Sequence, residues 1–355
     1  MRFFVGFIAI AAILIGLFKL HEGSRDLNIT RTVVSDTPVT IFRRQSALPA
    51  PVVVIAHGFA GSQQLMQPFA ETLARNGYIA VTFDFLGHGR NPVPMHGDIT
   101  KGLTITNALL KELTDVAALA RGLPGSNSRL AVLGHSMASD IVVRFAQAQP
   151  DVEATVAVSV FSPVVTPSSP RNLLVIVGAL EPAMLRNEGL RIVNLTTGGT
   201  AIPGETYGQF YDGTARKLVL ARGVEHIGVL YSHDGMVEAA RWLNAVFGDR
   251  PQEEVDSRGR WLALVFAGIV GLAWPLSALL PEVSPRPVGA SLRWKTLMTA
   301  ALLPAIVTPL LLWKMPTDFL PILLGDYLML HFLVYGTFST AILVYLRSKD
   351  RKSVV

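Results

Sequence analysis

Residues 129–149 read RLAVLGHSMASDIVVRFAQAQ. The run 129–133 is short and apolar, as a strand buried on both faces would be, and 137–149 carries apolar residues at helical spacing. Between them stands Gly134-His135-Ser136-Met137-Ala138. A nucleophilic serine needs a sharp strand-to-helix turn that projects Oγ from the end of a sheet, with small neighbours so that backbones can approach. Ala138 stands where glycine is usual and adds one methyl to that turn. The plain alternative is that Ser136 only caps the helix that follows it.

Outward from this junction the same alternation continues. Segments 51–56, 78–83, 154–161, 173–177 and 217–221 read as strands beside 129–133. Segments 63–76, 105–121, 137–149 and 236–247 read as helices. Near-continuous Val, Ile, Leu and Ala in the strands implies a mostly parallel sheet flanked by helices, an α/β class domain. The looser alternation in 27–44 suits antiparallel edge strands. Residues 182–215 contain six glycines and read as an irregular, lid-like insertion.

Three further segments agree with a nucleophilic Ser136. His57-Gly58-Phe59-Ala60-Gly61-Ser62 follows the first parallel strand, where the Phe59 amide could pair with that of Met137 to stabilise an oxyanion. Gly178-Ala179-Leu180-Glu181 ends another strand and presents a carboxylate, although Asp212 and Glu205 fall in the same connection. His226, in Gly223-Val224-Glu225-His226, precedes the last helix, with His233 as a later competitor. The order is serine, acid, histidine.

With these residues in view, 27–248 resembles the α/β-hydrolase fold, and the rest of the chain does not. Gly134–138 matches the family's nucleophile elbow, His57-Gly58-Phe59 its oxyanion loop, and Gly178-Ala179-Leu180-Glu181 its acid motif with glutamate in place of aspartate. Asp84-Phe85-Leu86-Gly87-His88-Gly89 resembles the D-x-x-G-x-G loop of many members. The resemblance implies an esterase- or lipase-like serine hydrolase that needs no cofactor. Ser136 would be nucleophile, His226 general base and Glu181 the acid that orients it, with Phe59 and Met137 supplying the oxyanion amides. His57 and Gly58 would support the oxyanion loop, and His135 would pack or hydrogen-bond beside the elbow. The competing function is a non-catalytic ligand-binding or transport-accessory protein built on the same domain.

Composition excludes several other classes. The chain has 355 residues, 50% hydrophobic and only 16% charged, against about 25% in ordinary soluble domains. Its net charge of +5 suggests nucleic acid until it is located: residues 21–250 hold 19 Lys and Arg against 19 Asp and Glu. A neutral folded domain offers no basic nucleic-acid surface. The absence of cysteine removes disulfides, thiolate metal sites and cysteine nucleophiles together. His88 and His96 lack a third ligand at metal-binding spacing, so no metal is expected.

The hydrophobic excess lies in four runs, 3–18, 261–280, 296–313 and 319–346. Residues 1–20 read as an uncleaved signal anchor, because no small-x-small site follows the apolar core. Residues 21–250 form the hydrolase-like domain, 251–260 a charged linker, and 261–355 a membrane domain with about three spans. Asp326 and His331, in the last run, read either as a polar intramembrane site or as residues of the interface before a shorter span. Arg286, Arg293, Lys295, Arg347, Lys349, Arg351 and Lys352 predict a cytoplasmic side for the segments that carry them. The hydrolase-like domain then faces outward, although Lys19, Arg258 and Arg260 pull the other way. The expected substrate is a small-molecule or lipid acyl compound; protein partners are not indicated.

Overall fold

The computed structural model describes residues 1–44, 49–95, 102–248, 255–281, 293–317, 319 and 325–352. The chain forms two compact units, Met1–Leu279 and Leu280–Val355. In the first, strands β1 (Leu27–Val34), β2 (Thr37–Arg44), β3 (Ala50–Ala56), β4 (Ile79–Phe83), β5 (Ser126–His135), β6 (Val152–Val158), β7 (Leu173–Gly178), β8 (Thr206–Tyr207) and β9 (Arg216–Ala221) form one sheet. Their order is β1-β2-β4-β3-β5-β6-β7-β9-β8. The central six run parallel, while β1, β2 and β8 pair antiparallel at the two edges.

The strand interiors explain why both faces are covered. Val52, Val53, Val54 and Ile55 of β3 are all fully buried. Val53 and Ile55 meet Phe69 and Leu73 of α2 (Gln67–Arg75) and Leu243 of α6 (His233–Phe247). Val52 and Val54 face Leu113 and Val116 of α3 (Gly102–Arg121) and Val142 of α4 (Met137–Ala148). The segment expected as one helix over 63–76 begins instead with a 3₁₀ turn, Gln63–Met66, because Gln63 is held to Asp84 by its amide and side chain.

The irregular insertion expected over 182–215 is corrected. Its first half is a regular crossover helix, α5 (Ala183–Thr197), packed on β7 and β9 through Ile192 and Val193. Gly189 does not break this helix. A Cβ there would lie 2.9 Å from Leu218 Cδ1 and 3.2 Å from Val175 Cγ1, so glycine allows α5 to press close against the sheet. Gly198, left-handed at φ 67°, is the true terminator.

The charged linker expected over 251–260 is also corrected where it is described. Helix α7 (Arg258–Leu276) starts inside it; Asp256 is buried and Arg258 half-buried, both reaching residues of α2. Arg258 pairs with Glu71 and, at 3.1 Å, with Asp256. Arg75 lies 3.0 Å from Glu71 and 3.6 Å from Asp256, and it also binds the carbonyl of Gly23, just beyond α1 (Arg2–Glu22). Two arginines thus balance two buried carboxylates at the root of α1 and α7, and Arg75 also reaches the exposed Asp26 at 3.5 Å. Burial and the Asp256 charge raise the Glu71 pKa, while both arginines stay within reach of its carboxylate. Arg258→Ala should leave the buried cluster one charge short, costing about 3 kcal/mol and lowering the midpoint of thermal unfolding. An unchanged midpoint would refute this account.

Among the described residues, four helices are long and apolar enough to cross a membrane: α1, α7 with the turn that follows it, α8 (Trp294–Leu312) and α9 (Gly325–Lys352). Helices α1 and α7 run antiparallel in close contact, because Gly16 and Gly268 leave room for the facing backbone. A Cβ on Gly268 would come within 2.7 Å of the Ala9 carbonyl. In the second unit, Pro304 has no amide to offer the Ala300 carbonyl one turn earlier. Ser339 Oγ of α9 donates to that oxygen at 3.2 Å, and Tyr335 Oη donates to Ala301 O at 3.1 Å. Asp326 lies in the first turn of α9, buried, and His331 stacks on Tyr335 one helical turn further along.

Candidate active site

The elbow begins where β5 ends. Ser136 has φ 54° and ψ −117°, a conformation that costs a non-glycine residue about 1–3 kcal/mol and must be imposed by its surroundings. The Ser136 amide donates to Val158 O at 2.8 Å, fixing the turn to the neighbouring strand. Gly134 is required by contact: a Cβ would lie 2.4 Å from the Ala138 carbonyl oxygen. Ala138 itself is buried in the core, where its methyl is accommodated. The Ser136 hydroxyl makes no cap bond to α4 and lies 2.9 Å from His226 Nε2. The helix-cap reading of this serine is therefore removed.

Glu181 and His226 reach the same point from β7 and β9. The turn after Gly178 closes with Glu181 N–H donating to Gly178 O at 3.0 Å. Glu181 is buried; its Oε1 accepts from Gly178 N at 2.7 Å and Ser159 Oγ at 2.7 Å, and its Oε2 lies 2.8 Å from His226 Nδ1. Burial alone would raise the carboxyl pKa, but the hydrogen bonds from His226, Gly178 and Ser159 hold it below the usual range. An ionised Glu181 requires the proton on Nδ1, which leaves the Nε2 lone pair facing the serine hydroxyl. The same bond to Glu181 raises the His226 pKa against the opposing effect of its partial burial.

Two residues hold the histidine loop in place. His135 Nε2–H donates to the His226 carbonyl at 2.9 Å, and burial pushes the His135 pKa down to about 4, so that ring is neutral. Glu225 accepts from the amides of Ile227, at 2.8 Å, and Gly228, at 2.7 Å. Ser159 and Glu225 had no distinguishing mark in the sequence beyond standing at the carboxyl end of a strand and beside a candidate histidine.

The 57–61 loop lies directly on the elbow. A Cβ on Gly58 would come within 3.0 Å of both Ser136 Cβ and His135 Nδ1. His57 Nε2 accepts from the Phe85 amide at 3.1 Å, so Nδ1 carries the hydrogen and donates to Gly58 O at 2.8 Å. Burial lowers the His57 pKa to about 4, and the neutral ring clamps this loop to the one that follows β4. Phe59 is half-exposed at the loop tip. Met137 is the first residue of α4, where amides have no helical acceptor.

The other candidates lie elsewhere. Asp84 braces its own loop, accepting from Gln63 and Arg90, and a Cβ on Gly89 would strike its carboxylate at 2.2 Å. Asp212 is exposed and bonded to Thr214, and Glu205 is exposed in a turn. His233 opens α6 and lines a cavity of about 470 Å³ with Lys217, Arg222, Asp234 and Glu238. Its cations are paired, Lys217 with Glu238 and Arg222 with Asp234, and it lies away from Ser136. His88 Nδ1 donates to Leu86 O, while His96 lies outside the described residues. Among the described residues no three His, Asp or Glu side chains cluster so as to hold a metal ion.

Comparison with known proteins follows the same outline. Residues 47–195 match the hydrolase family described as serine aminopeptidase, S33, a span that includes Ser136, Glu181 and the 57–61 loop but ends before His226. No curated protein matches the chain. Similar solved structures include a putative dienelactone hydrolase from Klebsiella pneumoniae, 16% identical, covering 63% of this chain and 99% of its own, with TM-score 0.47. A predicted CIB-like hydrolase from Thermoplasma acidophilum is 15% identical, with 62% and 98% covered and TM-score 0.46. A lidless α/β serine hydrolase from Xanthomonas campestris is also 15% identical, with 62% and 93% covered and TM-score 0.43. By its family match over residues 47–195 and its sheet order, the chain has the α/β-hydrolase fold.

Proposed function

We propose that the protein is a membrane-anchored serine hydrolase that cleaves an ester, thioester or amide through an acyl-enzyme. The reading is carried by one continuous path of hydrogen bonds, Glu181 to His226 to Ser136, with steps of 2.8 and 2.9 Å. Ser136 Oγ attacks the carbonyl carbon while its proton passes to His226 Nε2, and Glu181 balances the charge that forms on the ring. The amides of Phe59 and Met137 stabilise the oxyanion. As the tetrahedral intermediate collapses, the leaving group takes the proton from Nε2. Water, deprotonated by the same nitrogen, then releases the acid.

The second reading, a ligand-binding or transport-accessory protein, has no use for a strained serine aimed at a histidine. A fluorophosphonate probe should label Ser136, identified by mass spectrometry of the modified peptide. A protein folded but unlabelled would favour the binding reading instead.

In this reading α1, α7, α8 and α9 cross the bilayer, and four spans put both termini on one side. Segments 281–296 and 347–352 hold seven Lys and Arg, which resist translocation, whereas the hydrolase domain is neutral. A reporter active only outside the cytoplasm should be active when fused after Phe247 and silent after Arg351. The opposite pattern would place the hydrolase domain in the cytoplasm.

A further inference from the structure

Nine large hydrophobic side chains between residues 27 and 248 are exposed among the described residues, and their distribution is uneven. Phe59, Phe161, Leu180, Met184 and Ile227, each between 46% and 65% exposed, stand on the loops that carry the reacting groups. Phe59 tips the loop lying on Ser136, and Ile227 follows His226. Leu180 precedes Glu181, its amide donating to Val224 O at 3.0 Å, and Met184 lies in the first turn of α5. Phe161 N–H donates to Ser139 Oγ at 3.4 Å, and that hydroxyl donates to Ser136 O at 2.6 Å. Scattered exposed apolar residues need no explanation, but five on the loops that carry Ser136, Glu181 and His226 or pack against them do.

The two arginines that flank Glu181 and His226 in sequence are already engaged. Arg186 is held by the carbonyls of Ala179 and Glu181, and Arg222 by Asp234. Neither arginine is therefore left to take up a carboxylate or phosphate near the scissile bond, and the Glu225 carboxylate beside His226 would repel it.

The mouth also stands apart from the root of α1. Leu27, the first residue of β1, pairs with Arg44, and β2 sets that end beside Ala80 near the start of β4. The reacting loops follow the other ends of the parallel strands. Eight residues of β1 at about 3.3 Å each separate the two levels by roughly 25 Å.

We infer that the collar of Phe59, Phe161, Leu180, Met184 and Ile227 holds the apolar acyl group of an uncharged ester that arrives from the aqueous phase rather than from the bilayer around α1. This inference rests on the serine-hydrolase reading above and names the substrate class of that site. Full burial of a methylene is worth about 0.8 kcal/mol, close to fourfold in a binding constant, and a half-open collar supplies about half of that free energy.

The test uses the full chain in phosphatidylcholine vesicles, with p-nitrophenyl acetate, butyrate and octanoate below their aggregation limits and p-nitrophenyl palmitate dissolved in the vesicles. Values of kcat/KM should rise about twofold per methylene, roughly 60-fold from acetate to octanoate. The vesicle-dissolved ester should be the poorer substrate at equal total concentration. Leu180→Ser, at a side chain facing solvent, and Phe161→Ser should each lower the octanoate-to-acetate ratio at least threefold. A flat chain-length profile, faster cleavage of the vesicle-dissolved ester, or preference for an aminoacyl p-nitroanilide would overturn the inference while fluorophosphonate labelling kept the serine-hydrolase reading standing. Absence of both labelling and ester cleavage in folded protein would overturn the two together.

Discussion

Ser136→Ala is expected to lower kcat on any accepted ester by about 10⁶-fold, because it removes the attacking atom and no other group in the site can replace it. The fold should survive. The hydroxyl's hydrogen bond is to His226 Nε2, on the half-exposed side of the elbow, so its loss leaves no deeply buried group without a partner. Alanine keeps the unfavourable φ of 54°, so stability should change little. Ser136→Gly separates the two consequences of the turn. Glycine adopts this conformation freely, so the variant should be as inactive as alanine yet more stable by about 1–3 kcal/mol in chemical denaturation. Equal stability of the two variants would mean that the elbow stores no strain. Residual activity of the alanine variant above about one percent would remove Ser136 from the reaction altogether.

The strain at this turn shows why the site was legible while some of its surroundings were not. An elbow is written locally: an apolar strand, Gly134 where a side chain would strike Ala138, and a helix starting at Met137. Each candidate residue could thus be placed at a strand end before any packing was known. The sheet was legible for the same reason, since strands covered on both faces carry long unbroken apolar runs. Features that depend on contacts between distant segments were hidden. Gly189 reads as a helix breaker until Leu218 and Val175 are found pressed against it. Asp256 and Arg258 read as a solvated linker until Glu71 and Arg75, some 180 residues earlier, take up their charges. Ser159 carries no signal of its own; its role as a donor to Glu181 follows from the register that sets β6 beside β7. The apolar collar is similarly spread over loops from residue 59 to 227, each contributing one or two side chains.

Glu181→Gln probes the weakest of the three sequence assignments, because Asp212 and Glu205 occupy the same connection. Glutamine is nearly isosteric and can still accept from Gly178 N and Ser159 Oγ through its carbonyl oxygen. Its amide then faces His226 Nδ1, which must become an acceptor. The ring consequently carries its hydrogen on Nε2, pointing at Ser136, and cannot take the serine proton. Turnover should fall about 10³- to 10⁴-fold, with KM changed far less, since the substitution alters the histidine rather than the mouth. The pH profile supplies a second readout. In the native protein the hydrogen bond that His226 donates to Glu181 raises the His226 pKa above its ordinary value, so kcat/KM should fall as pH drops through a limb lying above about 6.5. Removing the carboxylate removes the main cause of that rise. The residual activity of Glu181→Gln should therefore persist to lower pH than native activity does. Glu225→Gln, which removes only a weaker and more distant charge effect, should move the same limb in the same direction by less. Asp212→Asn should leave both rate and limb unchanged, because that exposed carboxylate is bonded to Thr214. If Asp212→Asn produced the collapse and Glu181→Gln were nearly silent, the buried carboxylate beside His226 would not be the group that orients it during the reaction.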